Sequence, residues 1–526
     1  MTAMFTTGVT KPGLLGNIRA GFRRRAAAIG LAGVLALGAC DKGPDQAEVA
    51  AQLKSDVEAQ LQIMEGSSTP KVITHTGVAV APASDESYLV SIEGVKVQPD
   101  PEGYLDVGTI SYVVTPQDEK TYEVSDLKLP AEIPFKQPDG KQQGKLAITT
   151  KAFKGVYSKE LGVLTALAGE FADIAATDDK GGDLRVAGLK ISGATTDKGG
   201  DLFDSASTVT LTGLSVRETG SDGLFAIKEI VAAGNLDDIR MKEYQAAFKK
   251  YQELVAKYVA AANAAATAGT TGGQPAAPTA EEQKALTDAV TAMAASFNGG
   301  DVSIALNGMG YTEGGQSPFA LDQLRFASAV TGINQDKANL SFDISHQGLT
   351  VNSPEASGAL AKGILPKAGN LGLKVTDMPS KDLVKVLADN LPGMMSADSA
   401  MAEANAMAML VALQAVLQTS GAKIEVTPSA LTADVTEVKA DGNFNVSPQA
   451  MMGIAGALNI AWTGLDEVMA LAQANAAEPN AADVSMAVGM LLQMAKRETG
   501  ADGKPVDNFL IEVKETGEMT VNGNPM

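Results

Sequence analysis

The spacing of apolar positions changes period several times along this chain, and each change marks a different kind of element. Val49, Leu53, Val57 and Leu61 recur every four residues, with Ile63 and Met64 widening the stripe, so 41–68 reads as a tether and a first helix. From about 72 to 235 the period drops to two, as in Tyr88-Leu-Val-Ser-Ile-Glu-Gly-Val-Lys-Val97 and Thr208-Val-Thr-Leu-Thr-Gly-Leu-Ser-Val216. Gly, Asp and Asn clusters separate these runs, the pattern of antiparallel strands with one wet face. Residues 159–176 are expected to interrupt the block with a helix. Met241, Tyr244, Phe248, Tyr251, Val255 and Tyr258 then form a heptad-like seam. An Ala/Gly/Thr/Pro stretch over 262–278 breaks it, Thr279 with Glu282 makes a capping-box pattern, and Leu286, Val290, Met293 and Phe297 resume the stripe. This predicts a helical hairpin with a disordered tip.

The second half contains an internal similarity. Leu349-Thr-Val-Asn-Ser-Pro-Glu-Ala356 resembles Phe444-Asn-Val-Ser-Pro-Gln-Ala450, and Leu371-Gly-Leu-Lys-Val-Thr376 resembles Leu458-Asn-Ile-Ala-Trp-Thr463. In each copy Ser-Pro can open a helical turn, and the following strand runs into a helix beginning near Ser380 or Leu465. Met- and Ala-rich helices are expected at about 398–419 and 481–497, where Met serves as adaptable core filling. Phe509–Val513 and Glu518–Val521 read as a terminal hairpin. The fold class expected is therefore α+β: curved antiparallel β-sheets interrupted by helical hairpins, with a strand–turn–strand–helix repeat in the C-terminal half.

The N-terminus has a different character. Residues 1–39 carry Lys11, Arg19, Arg23, Arg24 and Arg25 and no acidic residue, and an uncharged run follows from Ala26 to Ala39. That is a basic region, an apolar region and a small-residue cleavage site, too short to span a bilayer, which takes about 20 apolar residues. The run ends in Leu37-Gly38-Ala39-Cys40, which resembles the lipobox of bacterial lipoproteins. The resemblance implies recognition of Leu37, Gly38 and Ala39 by a signal peptidase and lipidation of Cys40, the single cysteine of the chain. It also implies that Asp41 acts as a sorting residue favouring the inner over the outer membrane. Two or three acyl chains anchor stably where one is marginal.

The organisation expected is a signal peptide over 1–39, then the lipidated cysteine, tether and first helix over 40–70. An antiparallel β-rich region follows over 71–236, and a helical hairpin over 237–298 with its tip at 262–278. An α+β region occupies 299–526, with repeat copies at 349–390 and 444–476 and the terminal hairpin.

Charge and composition narrow the function. The full chain carries a formal charge of −20. Loss of residues 1–39 removes five basic residues and leaves 37 basic against 62 acidic. Such a surface repels phosphates, so nucleic acid is excluded as a partner and a membrane is reached through the acyl group. No second long apolar run follows the leader. Aromatic residues make up only 5%, so the core must be built from small and aliphatic side chains.

Candidate chemistry is sparse. His75 and His346 lack partner motifs for zinc, no Gly-x-Ser-x-Gly elbow occurs, and no phosphate loop is present. Asp179-Lys-Gly-Gly-Asp183 and Asp197-Lys-Gly-Gly-Asp201 could suggest calcium, but the internal lysine opposes a cation and hairpin turns account for both. No catalytic residue, metal ligand or cofactor is assigned. In texture, and in its closing phrase Gly517-Glu-Met-Thr-Val-Asn-Gly-Asn-Pro525, the body resembles an alphaproteobacterial envelope family of no established activity, the DUF 2125 type. The lipobox is a departure from the ordinary leaders of many members. The resemblance implies an exported protein rich in β-structure. The function expected is that of a non-enzymatic, membrane-anchored lipoprotein on the periplasmic side, binding a hydrophobic ligand or lipid or scaffolding an envelope partner. An envelope hydrolase with an unrecognised Ser/His/Asp site and a purely structural tether are the alternatives.

Overall fold

A computed structural model describes residues 46–65, 73–84, 86–100, 103–178, 181–217, 219–267, 279–352, 358–394, 399–450, 453–478 and 480–526. The leader, Leu37, Gly38, Ala39, Cys40 and Asp41 lie outside these residues, as do Ser353-Pro354 and positions 268–278 of the expected tip. The chain divides into two compact units. One takes in the residues up to Leu224 together with Gln252–Ala277, the other Phe225–Tyr251 with Pro278–Met526. The fold is α+β, dominated by antiparallel strands.

The first unit contains α1 (Gln46–Glu65) and strands β1 (Ile73–Thr74), β2 (Gly77–Ser84), β3 (Ser87–Asp100), β4 (Gly103–Pro116), β5 (Thr121–Lys128) and β6 (Glu132–Lys136). It continues with β7 (Gln142–Ser158), β8 (Val163–Asp178), β9 (Asp183–Gly199) and β10 (Leu202–Arg217). Both β1 and β2 pair with β3, which pairs with β4; β5 and β6 bridge β4 to β7; and β8, β9 and β10 follow in order. The four-residue period of α1 is used as expected: Leu53, Val57 and Leu61 are buried in one core with Val90, Ile92, Tyr112, Val114, Tyr122 and Val124. Those strand residues alternate along the chain, so one sheet face and one helix stripe close on each other and exclude water.

Bulges interrupt the ladders. Asp126, Asp173 and Asp377 take positive φ of 52°, 52° and 58°, and each lies where two residues oppose one across a strand pair. The short aspartate side chain tolerates the left-handed region better than most, and the extra residue bends and twists its strand.

The helix expected at 159–176 is not formed. Leu164, Leu167 and Phe171 have helical spacing, yet this stretch is β8, paired along its length with both β7 and β9. Ladder hydrogen bonds on two sides outweigh a weak local preference among alanines and glycines. The Asp197–Asp201 phrase is a hairpin turn between β9 and β10, with Gly199, Gly200 and Asp201 at positive φ.

β11 (Leu224–Arg240) runs on into α2 (Met241–Thr267); of this stretch Phe225–Tyr251 belong to the second unit and the residues from Gln252 on to the first. Residues 262–267 of the expected tip are thus helical, as their alanines favour. Along α2 the rings of Tyr244, Phe248 and Tyr251 stack in sequence, with centroids 5.9 and 6.5 Å apart. Met241, Ala247 and Leu254 are buried while Phe248 is exposed. Next come α3 (Ala280–Ala295), β12 (Gly299–Glu313), β13 (Gln316–Thr331), β14 (Lys337–Gln347), β15 (Thr350–Val351) and α4 (Ala359–Ile364). They are followed by β16 (Ala368–Pro379), α5 (Ser380–Met394), α6 (Ser399–Ser420), β17 (Lys423–Thr432), β18 (Glu437–Val446) and β19 (Ile454–Thr463). The chain ends with α7 (Leu465–Ala474), α8 (Ala481–Met494), β20 (Lys496–Thr499), β21 (Pro505–Val513), β22 (Met519–Val521) and β23 (Asn524–Pro525). The capping box at α3 is made: Glu282 N–H donates to Thr279 Oγ1 at 3.2 Å, and Thr279 N–H to Glu282 Oε2 at 3.0 Å. α3 packs on α5, where Thr287 Oγ1 donates to Asp389 Oδ1 at 3.2 Å.

Candidate functional site

In the second unit the strands pair antiparallel in the order β12, β13, β14, β16, β17, β18, β19, β21, with β20 and β22 both on the outer side of β21. Directly opposed residues in a ladder share a face, so the register defines rows across the sheet. One row runs Ile304–Phe326–Ile344–Leu371. Its neighbour runs Val302–Ser328–Phe342–Leu373–Val426–Gly442–Leu458–Ile511. The other face carries Asp301, Arg325, Asp343, Lys374 and Glu425, so the two faces differ sharply in polarity.

At the β19–β21 end this apolar face is covered. Leu465, Val468 and Val488 of α7 and α8 form a core with Phe509 and Val521, joined by Ile460, Trp462 and Ile511. The helical cover is fastened by Arg497 on β20. Its guanidinium donates to both carboxylate oxygens of Asp507 at 2.7 and 2.9 Å, and to those of Asp466 at 2.9 and 3.1 Å. These bonds to Asp507 and Asp466 hold Arg497 above its ordinary pKa, and they pin the first turn of α7 to the sheet.

Over β12 to β17 the same face is open. Val302 and Leu371 are each 51% exposed and Leu431 is 47% exposed, while Ile304, Phe342 and Leu373 are also exposed. α5 packs on β14 and β16, and α6 on β16 and β18, yet both helices also expose large apolar side chains, among them Leu387, Met407, Leu410 and Val411. Single exposed apolar residues are ordinary, whereas here several neighbouring strands expose theirs on one face.

Polar side chains interrupt this face at Ser328 and Asp322 of β13 and at His346 of β14. His346 on β14 stands opposite Leu324 of β13 and Gly369 of β16. A Cβ at position 369 would lie 2.5 Å from Leu431 Cδ2 and 3.0 Å from His346 Nε2, so glycine there leaves room for both side chains. His346 Nδ1 is buried and has no hydrogen-bond partner among the described residues. Burial holds its pKa below the ordinary imidazole value, which keeps the ring neutral at pH 7.

The remaining sequence candidates are not brought together with it. His75 lies between β1 and β2 in the first unit. Among the described residues no group of three His, Cys, Asp or Glu is placed to hold a metal ion, and no helix is long and apolar enough to cross a membrane. The open face itself was visible only as period-two alternation, for example Leu340-Ser-Phe-Asp-Ile-Ser-His346, a pattern that a covered face shares. No family model, curated protein or solved structure matches this chain.

Proposed function

We propose that this chain is a non-enzymatic, membrane-anchored envelope lipoprotein that binds the acyl chain of a lipid on the open apolar face of its second unit. The observation that carries the reading is the row of exposed residues from Val302 and Ile304 through Phe342 to Leu371, Leu373 and Leu431. Leaving such a surface in water costs about 25 cal/mol per Å² relative to covering it, so an apolar ligand that covers it binds favourably. Exposed methionines on α6 and α8, including Met407, Met486 and Met490, supply flexible side chains that adapt to chains of different shape. The lipobox at Leu37–Cys40 supports a tether that keeps the binding unit near its lipid source, and Asp41 favours the inner membrane, periplasmic side. The sequence similarity between 349–390 and 444–476 belongs to the same reading. Each copy supplies a strand of the face, β16 or β19, followed by a pair of helices that lie beside or over it. The likeness to the DUF 2125 type envelope family fits an exported binding protein with no catalytic group.

The test is saturable binding of a fluorescent acyl probe to the full chain in amphipol, with native mass spectrometry of the gently extracted protein for lipid carried along. Saturable binding that Leu371→Thr and Ile304→Thr weaken at least tenfold is expected. A chain that binds no probe, carries no lipid, and instead recovers a protein seated on this face would replace the lipid reading with the scaffold.

A further inference from the structure

We propose that the outer face of α8 binds Cu(I) through the thioether sulfurs of Met486, Met490 and Met494. The site goes beyond the lipid-binding reading, which uses these side chains only as apolar surface, and does not depend on it.

α8 divides its large apolar side chains by chemistry. Val484, Val488, Leu491 and Leu492 turn inward and pack in the core with Val468 and Phe509. Met486, Met490 and Met494 are 62%, 53% and 42% exposed, so every methionine of the helix lies outside and every valine and leucine inside. The methionines of α8 are therefore not the core filling that the sequence suggests. Hydrophobicity does not produce this division, because leucine and methionine are nearly interchangeable in volume and in burial. A surface made for apolar contact mixes the two, as α6 does by exposing Met407 beside Leu410 and Val411. The outer face of α8 is set apart by its sulfur.

The spacing suits a shared ion. Residues four apart on a helix have Cβ atoms about 5–6 Å from each other, and three rotatable bonds let each methionine bring its sulfur toward its neighbour's. Met486 with Met490 and Met490 with Met494 are such pairs, so Met490 belongs to both. Ala487 beside this line is exposed and small, which leaves room for the longer side chains. Helical side chains lean toward the N-terminus, and there the first turn carries Asp483, three residues before Met486 on the same side. Its negative charge favours a cation at that end. At the other end Lys496 is held by Glu498 at 3.0 Å, and Arg497 by Asp466 and Asp507 at 2.9 and 2.7 Å.

Thioethers are soft, uncharged donors, and they select Cu(I). Zinc takes thiolate, imidazole or carboxylate and calcium takes several oxygens, and this face supplies neither set. A pair of thioethers on a helix surface leaves the remaining coordination positions open to a donor or acceptor of the ion. That suits taking up and handing on Cu(I) rather than using it to fold.

The experiment is an anaerobic titration of the full chain in amphipol with Cu(I), kept reduced by ascorbate, against a chromophoric Cu(I) chelator. It is paired with NMR of the methionine ε-methyl groups during addition of Ag(I), a redox-inert analogue. The reference is the triple variant Met486→Leu, Met490→Leu, Met494→Leu, which removes the sulfurs and keeps volume and apolar area. The unsubstituted chain should take up more Cu(I) than this variant, by roughly one ion per chain, and Ag(I) should shift the methyl signals that the variant lacks. Met490→Leu alone should weaken that uptake by roughly tenfold or more, the scale on which metal sites respond to loss of a single supporting group. Met407→Leu on α6 should leave it unchanged. Acyl-probe binding should be the same in every variant, so failure of the lipid reading and failure of this one are separate results. Equal Cu(I) uptake by the triple variant, or displacement of the bound Cu(I) by an equal concentration of Zn(II), would overturn the site. Should the triple variant fail to fold, the methyl signals that Ag(I) shifts in the unsubstituted chain, assigned through the single leucine variants, still decide.

Discussion

Replacing Leu371 by Thr separates a face that meets solvent from one that is core. Full burial of a leucine side chain is worth about 1.5–3 kcal/mol. Leu371 already leaves 51% of its surface in water, so the part lost on truncation is about 1 kcal/mol, and threonine's preference for strands offsets some of it. Leu53 is the reference: it is 0% exposed, in the first unit's core, and Leu53→Ala should cost about 2–5 kcal/mol through lost transfer energy and a residual cavity. Urea denaturation of the full chain reads both. The single tryptophan, Trp462, packs in the second unit's core, so its fluorescence follows that unit, while far-ultraviolet circular dichroism follows both. Leu53→Ala should move only the transition silent to Trp462. Leu371→Thr should barely shift the tryptophan transition, yet abolish acyl-probe binding. A loss of more than about 2 kcal/mol for Leu371→Thr, with unchanged slope, would mean that the face is packed against protein in solution, and the binding-face argument would fail.

Removing Arg497 (Arg497→Leu) strands the Asp507 carboxylate, which is 1% exposed; the second unit should lose about 2–3 kcal/mol, less than a fully buried pair because Arg497 is itself partly exposed, as measured by the Trp462 transition. In the first unit, burial raises the pKa of Asp56, whose Oδ2 has no hydrogen-bond partner among the described residues. Its contribution to stability is present below the ordinary carboxylate value and lost as pH rises through the raised one, so Asp56→Asn should gain on the unsubstituted chain in melts taken from about pH 4 to pH 7. His346 behaves oppositely: its lowered pKa means that the unfolded chain takes up a proton first as pH falls below about 6.5, so His346→Leu should gain relative stability between pH 7 and 5, and a flat difference would put the imidazole in water. Finally, Cys40→Ala should abolish palmitate labelling and release the chain from membranes, and continued labelling would end the lipoprotein reading.

The sequence by itself determined those features that depend on local period and on short-range hydrogen bonding. The four-residue stripe of α1, the alternation of Val90 and Ile92 or Leu371 and Leu373, the Thr279–Glu282 capping box and the helices starting at Ser380 and Leu465 all follow from which positions are apolar within one or two turns. Only the tertiary structure decided the rest. β8 is a strand because β7 and β9 pair with it on both sides, although Leu164, Leu167 and Phe171 have helical spacing. Asp126, Asp173 and Asp377 bend their strands because each opposes a ladder that is one residue shorter, and nothing in an isolated aspartate signals a positive φ. Arg497 reaches Asp466 across 31 positions of sequence. Above all, alternation states that one face of β12–β17 is apolar but not whether anything lies on it. That depends on where α5, α6, α7 and α8 come to rest. They cover Ile460, Trp462 and Phe509 and leave Val302, Ile304 and Leu371 in water, because helix placement is fixed by packing between distant segments rather than by the residues of the strand.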